Sequence, residues 1–128
     1  MVDCGAIGNL TGKNFVDRQG AIAERAGHKV RYEQLAQHVT VNGIGQGSPT
    51  ATTQAVVPIQ LNDELAGFIA PVLTGNSAST PALWGLQSQR QARAIIDVGG
   101  NSVILPGPGG FTITLSPGSK VIRCENAI

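Results

Sequence analysis

The sequence predicts a mostly β fold with one or two short helices, and three observations carry that prediction. Seventeen glycines and seven prolines in 128 residues supply frequent breaks, the punctuation of short strands joined by turns. Val, Ile and Thr recur in alternating runs, as at 52–61 and in Phe111-Thr112-Ile113-Thr114-Leu115, the period of a half-buried strand. A sustained helical stripe falls at 14–26. The length suits one domain with a real core and no staples, and no repeat at a fixed period is visible.

The chain opens on Met1-Val2-Asp3-Cys4-Gly5-Ala6. Gly5 allows close backbone approach, so this turn can hold the Asp3 carboxylate near a second one. Two close carboxylates share a proton and can work as paired acid and base; the plainer reading is an Asp that turns an exposed terminus. Met1 stands directly against Val2-Asp3, which predicts a fragment lacking its N-terminal strand. Gly8-Asn9-Leu10-Thr11-Gly12 reads as loop. Its Asn-Leu-Thr sequon is discounted because no secretory signal precedes it.

In the 14–26 helix, Phe15, Val16, Ala21, Ile22, Ala23 and Ala26 form the apolar side, Gly20 weakens the pattern and Gly27 stops it. Strands are expected at 29–32 and 39–41, then a glycine-rich connection, Asn42-Gly43-Ile44-Gly45-Gln46-Gly47-Ser48-Pro49. The run 52–61 carries Pro58, the mark of an edge strand or bulge. A turn at 62–64, a strand at 65–73, a polar loop at 75–80 and an apolar strand at 81–86 follow, then a short helix at 87–93. The stretch 95–105 reads as two strands around Gly99-Gly100-Asn101. Pro106-Gly107-Pro108-Gly109-Gly110 breaks the chain before a closing hairpin of strands 111–115 and 120–123.

Composition narrows the function. A net charge of +1, 13% charged residues and the lack of a basic run with interleaved aromatics argue against nucleic acid. No stretch approaches the roughly 18 apolar residues of a membrane span. Cys4 and Cys124 are too few for a disulfide framework and fit no zinc spacing, which predicts an intracellular, cytoplasmic protein without metal or other cofactor. Cys4 as a nucleophile would need a His base, and His28 and His38 read as solvated strand-end residues. Trp84 reads as core, and Gly107-Pro108-Gly109-Gly110, with no Lys or helix after it, is no phosphate loop.

Three stretches in order, Asp3-Cys4-Gly5-Ala6, Val41-Asn42-Gly43-Ile44-Gly45-Gln46-Gly47 and Ala82-Leu83-Trp84-Gly85-Leu86, resemble the retropepsins, the dimeric aspartic proteases of retroviruses, retrotransposons and related cellular proteins. The helix ending Ala23-Glu24-Arg25-Ala26-Gly27 is similar to that of ubiquitin-linked and retroelement-derived members. The resemblance covers roughly residues 2–105, with 106–128 as a C-terminal hairpin of the same single domain. It implies a closed single-lobe β-barrel of the acid-protease fold, a homodimer, and a peptide or polyprotein substrate. Asp3 would be catalytic, with Cys4, Gly5 and Ala6 completing its loop. Asn42, Gly43, Ile44, Gly45, Gln46 and Gly47 would form a substrate-covering flap over roughly 41–52. Leu83, Trp84, Gly85 and Leu86 would brace the active-site loop.

Cys4 departs from the family's hydroxyl, which bonds across the dimer; S–H is a weaker donor. Asp97-Val98-Gly99 is a second Asp-X-Gly, read here as hairpin-turn chemistry, so one carboxylate per chain remains and two chains are needed. The resemblance thus implies an aspartic endopeptidase active in polyprotein processing. The alternatives are a catalytically impaired domain of the same fold serving dimerisation or peptide binding, and a small β-barrel with no site.

Overall fold

A computed structural model describes residues 1–43 and 47–122. It comprises two compact units, Met1–Ala92 and Arg93–Ile128. The first unit holds β1 (Thr11–Gly12), α1 (Lys13–Arg25), β2 (Arg31–Thr40), β3 (Thr50–Leu61), β4 (Glu64–Leu73), a 3-10 turn (Gly75–Ser77) and α2 (Leu86–Gln91). Its strands pair in the order β1-β4-β3-β2, with β1 parallel to β4 and the other pairs antiparallel. The prediction of a mostly β fold with one or two short helices holds.

The segment 8–12, expected as loop, becomes structural because its neighbours complete it. Leu10 bridges Leu83, and Thr11 and Gly12 lie beside Val72 and Leu73. Gly12 then caps α1 with no side-chain bond, while the carbonyls of Thr80 and Ala78 accept the N–H groups of Gly12 and Asn14. A Cβ at Gly12 would stand 2.2 Å from the Ala78 oxygen, so only glycine fits. At the other end Gly27 takes φ +87, with His28 N–H bonding Ala23 O and Gly27 N–H bonding Glu24 O. That is a Schellman end. Gly20, disfavoured for a helix, is where Val30 nests, its Cγ2 3.0 Å from the place a Cβ would occupy.

Alternation in β3 and β4 sorts the core. Ala55 and Val57 on β3 lie opposite Ala70 and Phe68 on β4, and all four are buried with Val16 of α1. Phe15 meets the Phe68 ring edge-on at 6.1 Å, a favoured aromatic geometry. Of the predicted helical stripe, Ile22 is half exposed, whereas Val16 and Ala23 are buried. A second cluster joins Leu10, Ala51, Leu73 and Leu83, with Leu35 and Val41 packed on it. Leu73 is fully buried there. Leu73→Ala is expected to cost about 3 kcal/mol, a transfer loss plus a cavity, read as a lower urea midpoint at unchanged slope.

Two strand expectations change. The separate strands at 29–32 and 39–41 are one strand, β2, whose polar middle is recruited by pairing Glu33 with Gln54 and Gln34 with Thr53. Between Gln34 and Val39, β2 takes five steps while β3 takes two, from Thr53 to Ala51, so the register shifts there. Pro58 does stand at a local edge, since β2 pairs β3 no further than Val56. Its carbonyl accepts from Gln19 of α1 at 3.3 Å. A strand residue's N and O share an edge, so the missing N–H breaks no ladder bond. Leu61 pairs Glu64 across Asn62-Asp63, with Asn62 at φ +54, a hairpin turn that suits Asn.

The second unit carries β5 (Ile95–Asp97) paired antiparallel with β6 (Ser102–Ile104). Asp97 Oδ1 accepts the Gly100 N–H at 3.0 Å, and Asn101 takes φ +51. Asp97 is therefore the turn residue the sequence suggests. The strands expected at 111–115 and 120–123 do not form among the described residues, and 106–122 holds turns with a single bridge, Gly107 to Gly110. Alternation specifies a strand's two faces but not the neighbour that completes its ladder. Here Phe111 takes the Arg93 guanidinium, 5.6 Å from its ring centre. Arg123 and the remainder of that hairpin lie outside the described residues.

Candidate active site

Asp3 sits at the start of a tight turn, with Ala6 N–H bonding the Asp3 carbonyl at 3.3 Å. Its side chain curls into that turn, where Oδ1 accepts the Gly5 N–H at 2.9 Å. A Cβ at position 5 would stand 3.2 Å from Oδ1, so a side chain there would make the carboxylate give by a few tenths of an ångström. The carboxylate is half-buried, and the described residues give Oδ2 no partner. A carboxylate so placed is aimed by the backbone yet open to solvent or to another chain.

The turn is docked on 83–86. Asp3 N–H bonds Trp84 O at 3.1 Å, and Trp84 N–H bonds Met1 O at 2.8 Å. Leu86 and Gln87 N–H groups bond the carbonyls of Ala6 and Ile7 at 2.7 and 2.9 Å. These close the loop from its far side and use two amides of the first turn of α2, which the helix leaves free. Gly85 is buried, and a Cβ on it would lie 2.3 Å from the Gly8 carbonyl oxygen. The strand expected at 81–86 is reduced to two bridges, Leu83 to Leu10 and Trp84 to Val2. Pro81 lacks a ladder donor, and Leu86 already begins α2. Leu83 is core and Trp84 half-buried.

The glycine hairpin springs from β2 and β3. Thr40 lies opposite Thr50 with their hydroxyls 3.2 Å apart, and Val41 N–H bonds Pro49 O at 2.9 Å. Ser48 donates to Asn42 Oδ1 at 2.8 Å, while Gly43 and Gly47 take φ +85 and +78, where glycine is strain-free. Ile44, Gly45 and Gln46 lie outside the described residues. Val41 at the hairpin base, Leu10 after the Asp3 loop, and Leu83 share the cluster around Leu73. Two of the three stretches singled out in the sequence thus meet in one piece of core, through Val41 and Leu83, and the first is tied to the third by the backbone bonds of Asp3 and Ala6 to Trp84 and Leu86.

Two residues that hold this arrangement were not singled out. Asn9 is half-buried and ties three segments, its Oδ1 accepting Gly85 N–H at 2.8 Å and its Nδ2 donating to Ile69 O at 2.9 Å. Gln89 of α2 is buried, donates to Trp84 O at 2.8 Å, and accepts from the Cys4 thiol at 3.4 Å. Cys4 is thereby engaged within its own chain. Nothing in Gly8-Asn9-Leu10 or in the polar run at 87–93 marks these roles, because both depend on partners distant in sequence. Among the described residues no group of three or more His, Cys, Asp or Glu is placed to hold a metal ion. Among the described residues no helix is long and apolar enough to cross a membrane.

The chain has a retropepsin-like fold. A solved structure similar to it is the retroviral protease-like domain of Ddi1 from Leishmania major. The match has a TM-score of 0.53 and 18% identity, covering 82% of this chain and 75% of that one. No protein-family model matches the sequence, and the search of curated proteins gives no match.

Proposed function

We propose that the chain is an aspartic-type endopeptidase of retropepsin kind, built as a homodimer in which each subunit contributes Asp3. The observation that carries this reading is the half-buried Asp3 carboxylate, aimed by the Gly5 N–H in a turn that is hydrogen-bonded to 84–86, while Leu83 shares a core cluster with Val41 at the base of a glycine hairpin. One carboxylate of this kind is half of a catalytic pair, and a two-fold axis beside it supplies the other half. Further support is the alternating Phe111, Ile113 and Leu115, without a ladder among the described residues and each about half exposed, an apolar surface suited to cover by another chain. In the dimer each subunit contributes one closed single-lobe barrel.

The two carboxylates share one proton, since like charges a few ångströms apart cannot both ionise. The ionised member takes a proton from a water held between them as that water attacks the scissile carbonyl. The protonated member donates to the carbonyl oxygen, so no covalent intermediate forms. The hairpin at roughly 41–52 closes over an extended peptide and excludes bulk water. The peptide is held largely by backbone hydrogen bonds as an added strand, which suits polyprotein processing.

The test is a cleavage assay of the whole chain on a pool of extended peptides, with sedimentation on the same sample. The expected result is a dimer that cuts internal peptide bonds and is inhibited by pepstatin. A dimer that binds peptides and cuts none assigns the chain to binding rather than hydrolysis. A monomer that cuts removes the paired-carboxylate mechanism.

A further inference from the structure

Away from Asp3, the outer face of the β3–β4 ladder carries an open groove of about 370 Å³, within the size range of ligand clefts. Val57 and Phe68 point to the core, so their neighbours Val56 and Gly67 turn to the other face. Pro58 pairs with Gly67 on that face, and Leu65 stands 61% exposed beside them. The floor is therefore apolar and opens over Gly67, which carries no side chain.

One wall is basic. After the helix ends at Gly27, Val30 is drawn onto Gly20, and the chain does not pair with β3 until Arg31. That detour opens the groove and lines it with His28, Lys29 and Arg31. His28 and Lys29 have no carboxylate within ion-pair distance among the described residues. Arg31 pairs with Glu33 at 3.1 Å on the surface, a contact weak enough to exchange for another anion. Gln54, and after it Arg31, holds the Glu33 carboxyl below its ordinary range, so Glu33 is already supplied with donors. Among the described residues no acidic side chain lines the groove. Backbone pairing along the adjoining edge of β3 is blocked at Pro58, which has no N–H and whose carbonyl Gln19 occupies.

We propose that this groove is a docking site for an acidic peptide segment with an apolar anchor residue, separate from the Asp3 site. The anchor lies over Gly67 between Val56, Pro58 and Leu65, and flanking carboxylates face Lys29 and Arg31. Charge complementarity selects an acidic partner, and the apolar floor selects one with a buried side chain. Recognition is by side chains on a sheet face rather than by strand addition.

The test uses the whole chain carrying Asp3→Asn, so that no cleavage interferes, and fluorescence anisotropy of a labelled peptide with Asp and Glu flanking a Leu-Phe pair. Saturable binding is expected, not displaced by pepstatin, and at least ~10-fold weaker for a Lys counterpart or one with Ser-Ser at the anchor. The double variant Lys29→Glu/Arg31→Glu should weaken binding similarly. So should Gly67→Val, where the Cβ itself would stand 3.7 Å from Val56; circular dichroism checks that both variants fold. Unchanged binding in both variants, displacement by pepstatin, or capture by phosphatidylserine vesicles with no peptide selectivity would overturn the proposal.

Discussion

Asp3→Asn is expected to lower peptide hydrolysis by at least ~10³-fold, the scale of a lost general acid–base group. Asparagine keeps the shape and still offers Oδ1 to the Gly5 N–H, so the turn at 3–6 and its docking on Trp84 persist. What disappears is the group that takes or gives a proton. In the proposed dimer each subunit supplies one copy, so mixed dimers should be inactive too. After subunit exchange, an equal mixture of wild type and variant should keep about one quarter of the activity, as pairwise statistics require for a two-fold site. Half the activity would mean that each chain works alone. Asp97→Asn is the control, since Asp97 only closes the turn to Gly100. A rate that survives Asp3→Asn, or falls with Asp97→Asn instead, removes the assignment.

Gly85→Ala should destabilise the fold by about 3 kcal/mol or more, with Tm falling by roughly 10 °C. The added methyl would meet Gly8 backbone at 2.3 Å to oxygen and 2.4 Å to carbon. Backbone cannot swing aside as a long side chain can. Moving the two segments apart also strains the bond from Gly85 N–H to Asn9 and that from Leu86 N–H to the Ala6 carbonyl. Overpacking alone costs about 1–3 kcal/mol, and each lost buried bond adds to it. Gly67→Ala, where the nearest atom is 3.7 Å away, should change Tm little. Equal melting of the two variants would show that no close approach exists at Gly85.

Local pattern made α1, β3, β4 and the β5–β6 hairpin legible, because their periods, glycines and turn residues sit inside the elements themselves. Gly27 ended its helix as expected, and Asn62 and Asn101 took the left-handed turn conformation. The pattern misled where pairing overrides it. Gln34 has no strand signature, yet Thr53 draws it into β2; Phe111, Ile113 and Leu115 have a full strand signature and no ladder among the described residues. At the candidate site the motif residues were visible as types at spacings. Their braces were not, since Asn9 meets Ile69 and Gly85, and Gln89 meets Cys4. Contacts across such separations leave no local trace in one sequence.

The uneven count between Gln34–Val39 and Thr53–Ala51 gives the outgoing arm of the glycine hairpin a surplus contour of about 10 Å over its return arm. The three extra residues of β2 fall between Gln34 and Val39, so the Thr40–Thr50 pair at the base of the glycine hairpin keeps a register three residues out of step with the pairs from Arg31 to Gln34.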